Sequence, residues 1–368
     1  MSNRSRSGRA VLTSVVLFAV AVVAVAATVD ALRGGGTRSR AASPREDAAR
    51  LAGELLPENG TLAGRLVFAS LAGCRPQEAS LDRLVLGTPG ESLECGLWVS
   101  PRGDLAVVAL EPALGLRGSE NGLLRLGDPP EVVRRLGVAR GEPSWSPDGE
   151  RLAWCTEQED TVVLTLETGA RTRVPGCHPV FAPDGSVLTR PAEFLSGTLL
   201  VDGRPTLGEE DLLRGFPAGE GPVDLVGYDV RADGLLALVA VRFENGRRPR
   251  RLLELWRDGG LESAVLLPEL GLPAGYGRLG ERLEFAPDGT EVAVAFPGSG
   301  KQMVLVRLAD LSIVLGPTSQ HGFAWSPDGA WFALSTGEEV RVFGRNREQT
   351  YVLPIGAAAL AWRTAAQG

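Results

Sequence analysis

The chain has 368 residues, of which 44% are apolar, so it is long enough to bury a sizeable core. Its 45 acidic residues outnumber its 38 basic residues, which gives a formal charge of −7. No cluster of basic residues accompanies the repeats described below, so we expect no nucleic-acid partner.

The N-terminal segment predicts a membrane anchor. Residues 10–29 form an uncharged run of 20 residues that follows Arg4, Arg6 and Arg9. A helix of that length crosses a bilayer core, and arginines before it favour a cytoplasmic N-terminus. We therefore expect residues 1–9 in the cytoplasm and a single-pass signal-anchor helix at 10–29. The alternative is secretion after signal-peptide cleavage near Ala26, because residues 24–26 fit the small-x-small rule.

Residues 30–61 are predicted to be a linker. The glycines at 34–36 favour a flexible spacer. Ser43 and Glu46 form a capping-box pattern around Pro44, which predicts a short helix at 44–56 before Pro57. We expect this helix to pack on the folded domain, with partner binding as its alternative role.

Six copies of a four-residue sequence motif, Ser-Pro-Asp-Gly or a variant of it, then define a repeat. We call this motif the phrase. The copies begin at Ser100, Ser146, Ala182, Arg231, Ala286 and Ser326, and their last residues are glycines spaced 36 to 55 residues apart. Each copy lies between two apolar runs, which predicts strand, tight turn and returning strand. The spacing is typical of the four-stranded blades of a β-propeller.

The phrase has a local structural role. Proline favours the start of a turn, Asp hydrogen-bonds the backbone two residues on, and Gly adopts positive φ. Because a periodic residue serves geometry in every repeat, we assign turn formation to Asp148, Gly149, Asp184, Gly185, Asp233, Gly234, Asp288, Gly289, Asp328 and Gly329.

Later strands of the repeat are predicted at 161–166, 301–308 and 339–343, with fourth strands at 313–315 and 351–353. The aromatic residues that occupy one first-strand position are predicted to be core: Trp145, Phe181, Phe285 and Trp325.

The chain ends predict ring closure. Residues 359–362 resemble a first strand without partners, whereas 65–70 and 82–87 resemble second and third strands without a first. Pairing them would make one composite blade and remove two exposed sheet edges. The prediction is an all-β chain with a seven-bladed β-propeller over residues 62–363 and a disordered tail at 364–368. A six-bladed ring is the alternative.

The four cysteines favour an oxidising compartment. Cys155 ends a second strand and Cys177 precedes the next first strand, while Cys74 and Cys95 have matching places around the composite blade. The offsets of 22 and 21 residues predict the disulfides Cys155–Cys177 and Cys74–Cys95. Unpaired core cysteines are the alternative.

The repeats resemble the TolB-like propellers of bacterial envelope proteins. The resemblance lies in Trp145-Ser146-Pro147-Asp148-Gly149 and in the same five residue types at 325–329, and it covers residues 62 to about 362. Two copies depart from the pattern, with Arg102 in place of Asp and Ala232 in place of Pro. The resemblance implies a scaffold that binds proteins or peptides, and it does not extend to the separate N-terminal domain of TolB.

Catalytic motifs are scarce. The sequence has no G-x-S-x-G nucleophile elbow and no P-loop, and its two histidines, His178 and His321, are assigned surface or structural roles. In the first-strand column that precedes the aromatic position, acids occur in neighbouring repeats at Asp229 and Glu284. They form the candidate site for a cation or a basic peptide, and an internal ion pair with Arg231 or Arg282 is the alternative.

These patterns predict a membrane-anchored, extracytoplasmic propeller that binds an envelope protein or peptide without catalysis or cofactor. The alternative function is a lactonase-like or other hydrolase with a divalent cation in the central channel. Calcium usually takes six or more oxygen ligands, so two carboxylates alone are too few.

Overall fold

The computed structural model describes part of the chain: residues 65–70, 76–80, 94–112, 119–126, 131–193, 195–217, 219, 221–244, 249–270, 282–296, 302–319, 322–336, 339–345, 350–353 and 357–363. The chain divides into two compact units at 1–48 and 49–368, and every described residue belongs to the second. The predicted anchor at 10–29, the helix at 44–56 and the tail at 364–368 lie outside the described residues. Among the described residues, no helical segment combines the length and the hydropathy of a membrane span.

The described residues lie mostly in antiparallel strands, which confirms the prediction of an all-β chain. Four sheets have four strands each, in sequential order. They comprise β10 (Cys177–Phe181), β11 (Val187–Arg190), β12 (Leu199–Val201) and β13 (Arg204–Leu207); β14 (Val223–Val230), β15 (Leu236–Arg242), β16 (Arg250–Arg257) and β17 (Gly260–Leu266); β18 (Arg282–Phe285), β19 (Glu291–Phe296), β20 (Gln302–Arg307) and β21 (Ile313–Ser319); and β22 (Gly322–Trp325), β23 (Trp331–Ser335), β24 (Val340–Gly344) and β25 (Thr350–Leu353).

A fifth sheet has seven strands because one long strand belongs to two repeats. Its members are β3 (Glu94–Val99), β4 (Leu105–Pro112), β5 (Ser119–Arg125), β6 (Glu131–Trp145), β7 (Arg151–Cys155), β8 (Asp160–Thr165) and β9 (Arg171–Pro175). The first part of β6 pairs with β5, and its last part pairs with β7. Gly137 and Gly141 have positive φ inside β6, so the strand can change partners without a break.

The two ends of the described chain share the sixth sheet. Its order is β2 (Pro76–Ser80), β1 (Arg65–Ser70) and β26 (Ala357–Arg363). Val67 lies opposite Ala361 in antiparallel register, as the strand patterns at the two ends predicted. The strand next to β1 is Pro76–Ser80 and not the predicted 82–87, which lies outside the described residues. Its polar sequence carries no apolar alternation, so the pattern did not reveal it.

The first strands of the repeats contact one another in chain order. Contacts join β6 to β10, β10 to β14, β14 to β18, β22 to β26, and β26 to β3. Trp145 Nε1 donates a hydrogen bond to the carbonyl oxygen of Trp98 at 2.9 Å, and this bond joins β6 to β3. The Arg282 guanidinium lies 4.3 Å from the centre of the Phe323 ring, which joins β18 to β22. The first strands therefore follow one another around a closed circuit.

The core lies between the faces of adjacent sheets. Three of the four predicted core aromatics are buried: Phe181, Phe285 and Trp325. The fourth, Trp145, is half-buried and packs against a cluster of buried apolar residues that includes Leu152. Within the described ranges, a short α-helix, α1 (Glu209–Leu212), is followed by a 3-10 helix (Leu213–Gly215), and another 3-10 helix (Leu267–Leu270) follows β17. The later-strand predictions agree with β8, β20, β21, β24 and β25 within a few residues.

The repeated phrase forms the same turn at each of its six copies. The glycine N–H donates to the carbonyl oxygen of the residue that begins the phrase, at 2.8 to 2.9 Å, and φ of the glycine lies between 67° and 86°. Asp148 Oδ1 accepts from the N–H of Glu150 at 2.9 Å, and the other four aspartates accept in the same way. The turn persists where Arg102 replaces Asp, with a bond of 2.8 Å from Gly103 to Ser100.

Candidate functional site

The candidate acids lie on the first strands β14 and β18, in the column just before the aromatic position. Strand geometry alternates side chains between the two faces. Glu284 is half-buried and the next residue, Phe285, is buried. Asp229 is half-buried as well, so both carboxylates are only partly enclosed by the packing between sheets.

Asp229 connects two neighbouring first strands. Its Oδ2 accepts a hydrogen bond from the backbone N–H of Phe285 at 2.8 Å, and its Oδ1 accepts from the N–H of Val230 at 2.9 Å. Burial raises the pKa of Asp229 to about 7; the hydrogen bond from Phe285 opposes this shift, and the negative charge of Glu284 adds to it. The structure thus brings the two predicted acids within electrostatic reach of each other.

Glu284 is neutralised by an arginine two residues earlier. Arg282 Nη2 lies 2.6 Å from Glu284 Oε2, and both side chains are 32% exposed. Arg282 Nε also lies 3.9 Å from Glu142 Oε2, on β6. Because Arg282 in addition packs on Phe323, one guanidinium links β6, β18 and β22.

These contacts match the internal ion-pair alternative for Glu284 and a backbone-binding role for Asp229. Arg231, the other arginine considered, binds elsewhere: it pairs with Asp233 at 2.6 Å and donates to the carbonyl oxygen of Gly289. In the part of the chain that the structure describes, no group of three or more His, Cys, Asp or Glu residues is placed to hold a metal ion.

The disulfide Cys155–Cys177 is present, with its Cα atoms 4.9 Å apart, and confirms that prediction. It joins the end of β7 to the start of β10, and both cysteines are buried. The other predicted disulfide, Cys74–Cys95, stays a prediction because Cys74 lies outside the described residues.

His178 is half-buried and contacts other residues of the protein. Its Nε2 lies 3.2 Å from Arg190 Nη2, and burial, with the positive charge of Arg190, lowers its pKa to about 4. The backbone carbonyl of His178 accepts a hydrogen bond from the hydroxyl of Tyr228 on β14. His178 is therefore neutral near pH 7. It directly follows Cys177, one of the two cysteines of the disulfide. His321 lies outside the described residues.

Arginines that connect consecutive turns were missed by the motif analysis. Arg102 Nε donates to the carbonyl oxygen of Asp148 in the next copy at 2.7 Å, and Arg231 reaches Gly289 in the same manner. A Cβ at Gly149 would lie 3.0 Å from Arg102 Cγ, and one at Gly289 would lie 2.7 Å from Arg231 Cδ. These glycines thus serve close packing between neighbouring turns as well as positive φ. The replacement of Asp by Arg102 was the available sequence signal.

Comparison with known proteins identifies the fold. No protein-family model and no curated protein matches the chain. A 6-phosphogluconolactonase-like protein of Bacteroides fragilis superimposes with a TM-score of 0.53 at 12% identity, covering 83% of this chain and 99% of that one. The β-propeller domain of Cps50 (Swd1) from Myceliophteria thermophila gives a TM-score of 0.47 at 13% identity, covering 75% of this chain and 91% of that one. Of these two similarities, the first carries the fold assignment, and the arrangement of sheets in this chain is that of a β-propeller.

Proposed function

We propose that the chain is a TolB-like, seven-bladed propeller that acts as a non-catalytic scaffold for a protein or peptide in the bacterial cell envelope. An N-terminal signal-anchor helix at 10–29 would hold it to the membrane, with the propeller on the extracytoplasmic side. Secretion after cleavage near Ala26 is the alternative location.

Seven blades are supported by how the strands group. Dividing the long strand β6 between its two repeats gives two four-stranded groups in the seven-stranded sheet, and four further sheets have four strands each. The sheet that combines β1, β2 and β26 adds the seventh group. The contacts between successive first strands supply a closed order for all seven.

An oxidising location is supported by the disulfide Cys155–Cys177. Buried disulfides between separate structural units persist outside the cytoplasm, where thiols are not kept reduced. The uncharged run at 10–29 adds to this argument because it has the length of a membrane span.

The observation that carries the non-catalytic assignment is that the candidate acids are bound within the protein. Glu284 pairs with Arg282 at 2.6 Å, and both oxygens of Asp229 accept backbone hydrogen bonds. A cation at this column would compete with a guanidinium that is already in place. Rigid blades that present loops to solvent suit recognition, which is the role proposed.

A lactonase-like enzyme is the second candidate function. The superposition on the 6-phosphogluconolactonase-like protein favours it, as does Asp229, because carboxyls with a raised pKa are common at catalytic sites. Metal analysis of the purified full chain separates the two candidates. A stoichiometric divalent ion that is lost in Asp229→Asn, together with hydrolysis of a sugar lactone, would favour the enzyme.

Site-specific photo-cross-linking in the intact envelope tests the scaffold. A photoreactive residue at Glu142, which is 55% exposed on the first-strand part of β6, should yield one discrete adduct. The matched control places the same residue at Arg173, which is 62% exposed on β9, a fourth strand. Equal adducts at both positions, or none at either, would contradict a specific binding surface near the column.

A further inference from the structure

A short segment between two sheets covers part of the core. We call residues 208–217 the strap; it contains α1 and the 3-10 helix Leu213–Gly215, and it links β13 to β14. Leu212 and Phe216 of the strap are buried in one cluster with Leu252 on β16. The strap is therefore held to the sheet β14–β17 by apolar packing.

Arg242 binds the strap through a polar contact, and its positive charge is balanced by a carboxylate. Arg242 Nη1 donates to the carbonyl oxygen of Pro217 at 2.7 Å, and the guanidinium lies 5.0 Å from the centre of the Phe216 ring. Arg242 also pairs with Glu244 at 2.5 Å. Arg242 therefore stays paired with Glu244 whether or not the strap residue Pro217 accepts its hydrogen bond.

Glu254 on β16 lies beneath the strap, and among the described residues it forms no ion pair. Its side chain is fully buried, its Oε2 accepts from Trp256 Nε1 at 2.8 Å, and its Oε1 has no donor among the described residues. A Cβ built at Gly215 of the strap would lie 2.8 Å from Glu254 Cδ, so the strap backbone presses directly on the carboxyl group.

The charged groups around Glu254 are engaged with one another. On the strap, Asp211 pairs with Arg214 at 2.9 Å, and Glu209 accepts a hydrogen bond from Val223. The others on neighbouring strands pair as follows: Arg242 on β15 with Glu244, Arg250 on β16 with Glu244, and Arg257 on β16 with Glu262 on β17. Glu210 on α1 is exposed to solvent, and Arg251 points to the opposite face of β16 by strand alternation.

Burial dominates the titration of Glu254. It raises the pKa of the carboxyl to about 7, and the hydrogen bond from Trp256 opposes the shift only in part. An ionised carboxylate without a counter-ion is costly in an apolar cluster, and admitting water is the available relief. The strap is the element whose movement would admit water.

We propose that Glu254 is a pH-sensitive latch: as a neutral carboxylic acid it lets the strap pack on the sheet β14–β17, and as a carboxylate it releases the strap. The proton exchanges with solvent, and release exposes the apolar surface formed by residues such as Leu252 and Trp256. This device is independent of the scaffold function proposed above.

Hydrogen exchange of the full chain tests the latch. At about pH 5.5 and about pH 8.5, after correction for intrinsic exchange rates, the amides of the strap should lose protection by at least about tenfold at the higher pH. Glu254→Gln, which stays neutral, should show equal protection at both values. The matched control Glu262→Gln changes an exposed carboxylate on the neighbouring strand β17 and should behave like the unsubstituted protein. Equal strap protection at both values in the unsubstituted protein, or pH dependence that survives in Glu254→Gln, would overturn the proposal.

Infrared spectroscopy keeps the test decisive if Glu254→Gln fails to fold. In an Asp229→Asn background, the carbonyl band of a protonated carboxyl should be present at the lower pH and should disappear with the same midpoint as the loss of strap protection. Absence of that band at the lower pH, or a midpoint unrelated to strap release, would overturn the latch.

Discussion

A comparison of two turn glycines tests whether neighbouring turns are packed against each other. Gly234 and Gly289 occupy the same place in consecutive copies of the phrase, with φ of 84° and 70°. A Cβ at Gly234 meets nothing within 4 Å, whereas one at Gly289 would lie 2.7 Å from Arg231 Cδ. The pair therefore separates backbone strain from the contact between turns.

Alanine at Gly234 should cost about 1 to 2 kcal/mol of unfolding free energy, because it places a side chain in the left-handed region. Alanine at Gly289 incurs the same strain and also displaces Arg231 from its hydrogen bond to the carbonyl of residue 289. A bond from a charged donor contributes roughly 1.5 to 3 kcal/mol when buried, and partial exposure of Arg231 reduces this to about 1 kcal/mol. We expect Gly289→Ala to be the more destabilising by that amount.

Urea denaturation of both variants measures the difference. Repeating the pair in an Arg231→Ala background completes a double-mutant cycle, and there the excess cost at residue 289 should vanish. Equal costs for the two alanines in the parent protein, or an excess that persists without Arg231, would refute the packing argument.

The remaining predictions concern the disulfide, pH and the membrane. Replacing both Cys155 and Cys177 by serine should lower the free energy of unfolding by about 3 kcal/mol, since the bond closes a loop with a sequence separation of 22; an unchanged urea midpoint would contradict this. Because the pKa of Asp229 is raised from 3.8 to about 7 in the folded protein, its contribution to stability is largest at acid pH, is lost as pH rises towards 7, and is constant above it. Asp229→Asn should reduce this decline in urea titrations between about pH 4 and about pH 7, and an identical pH profile would count against the shift. Alkaline carbonate should leave the full chain in the membrane fraction and release a chain that lacks residues 1–29; extraction of both would reject the anchor.

The fold was predictable because its signal repeats. The phrase around Gly149 and Gly329 encodes a turn through short-range chemistry, and the alternating apolar runs beside it encode strands. The pairing of the chain ends followed from the unpartnered pattern at 359–362. The prediction that failed concerned the strand next to β1. Pro76–Ser80 is polar, so its place beside β1 depends on tertiary pairing and not on its own sequence pattern.

The candidate site was only partly predictable. Alignment of the repeats placed Asp229 and Glu284 on neighbouring strands, but side-chain direction decided their partners. Sequence alone could not show that Asp229 accepts from the N–H of Phe285, since that bond joins residues 56 positions apart. The same holds for Glu254, whose burial beneath the strap arises from contacts between separate sheets.

The most direct test of the account is the register that joins the two ends of the propeller. Val67 and Ala361 are opposite each other on β1 and β26, so cysteines at both positions should oxidise spontaneously. Non-reducing mass spectrometry should then find the peptides of residues 67 and 361 linked within one chain. Cysteines at 67 and 359, two residues out of register, should stay unlinked. Free thiols in the first variant, or equal linkage in both, would contradict closure of the ring by its ends.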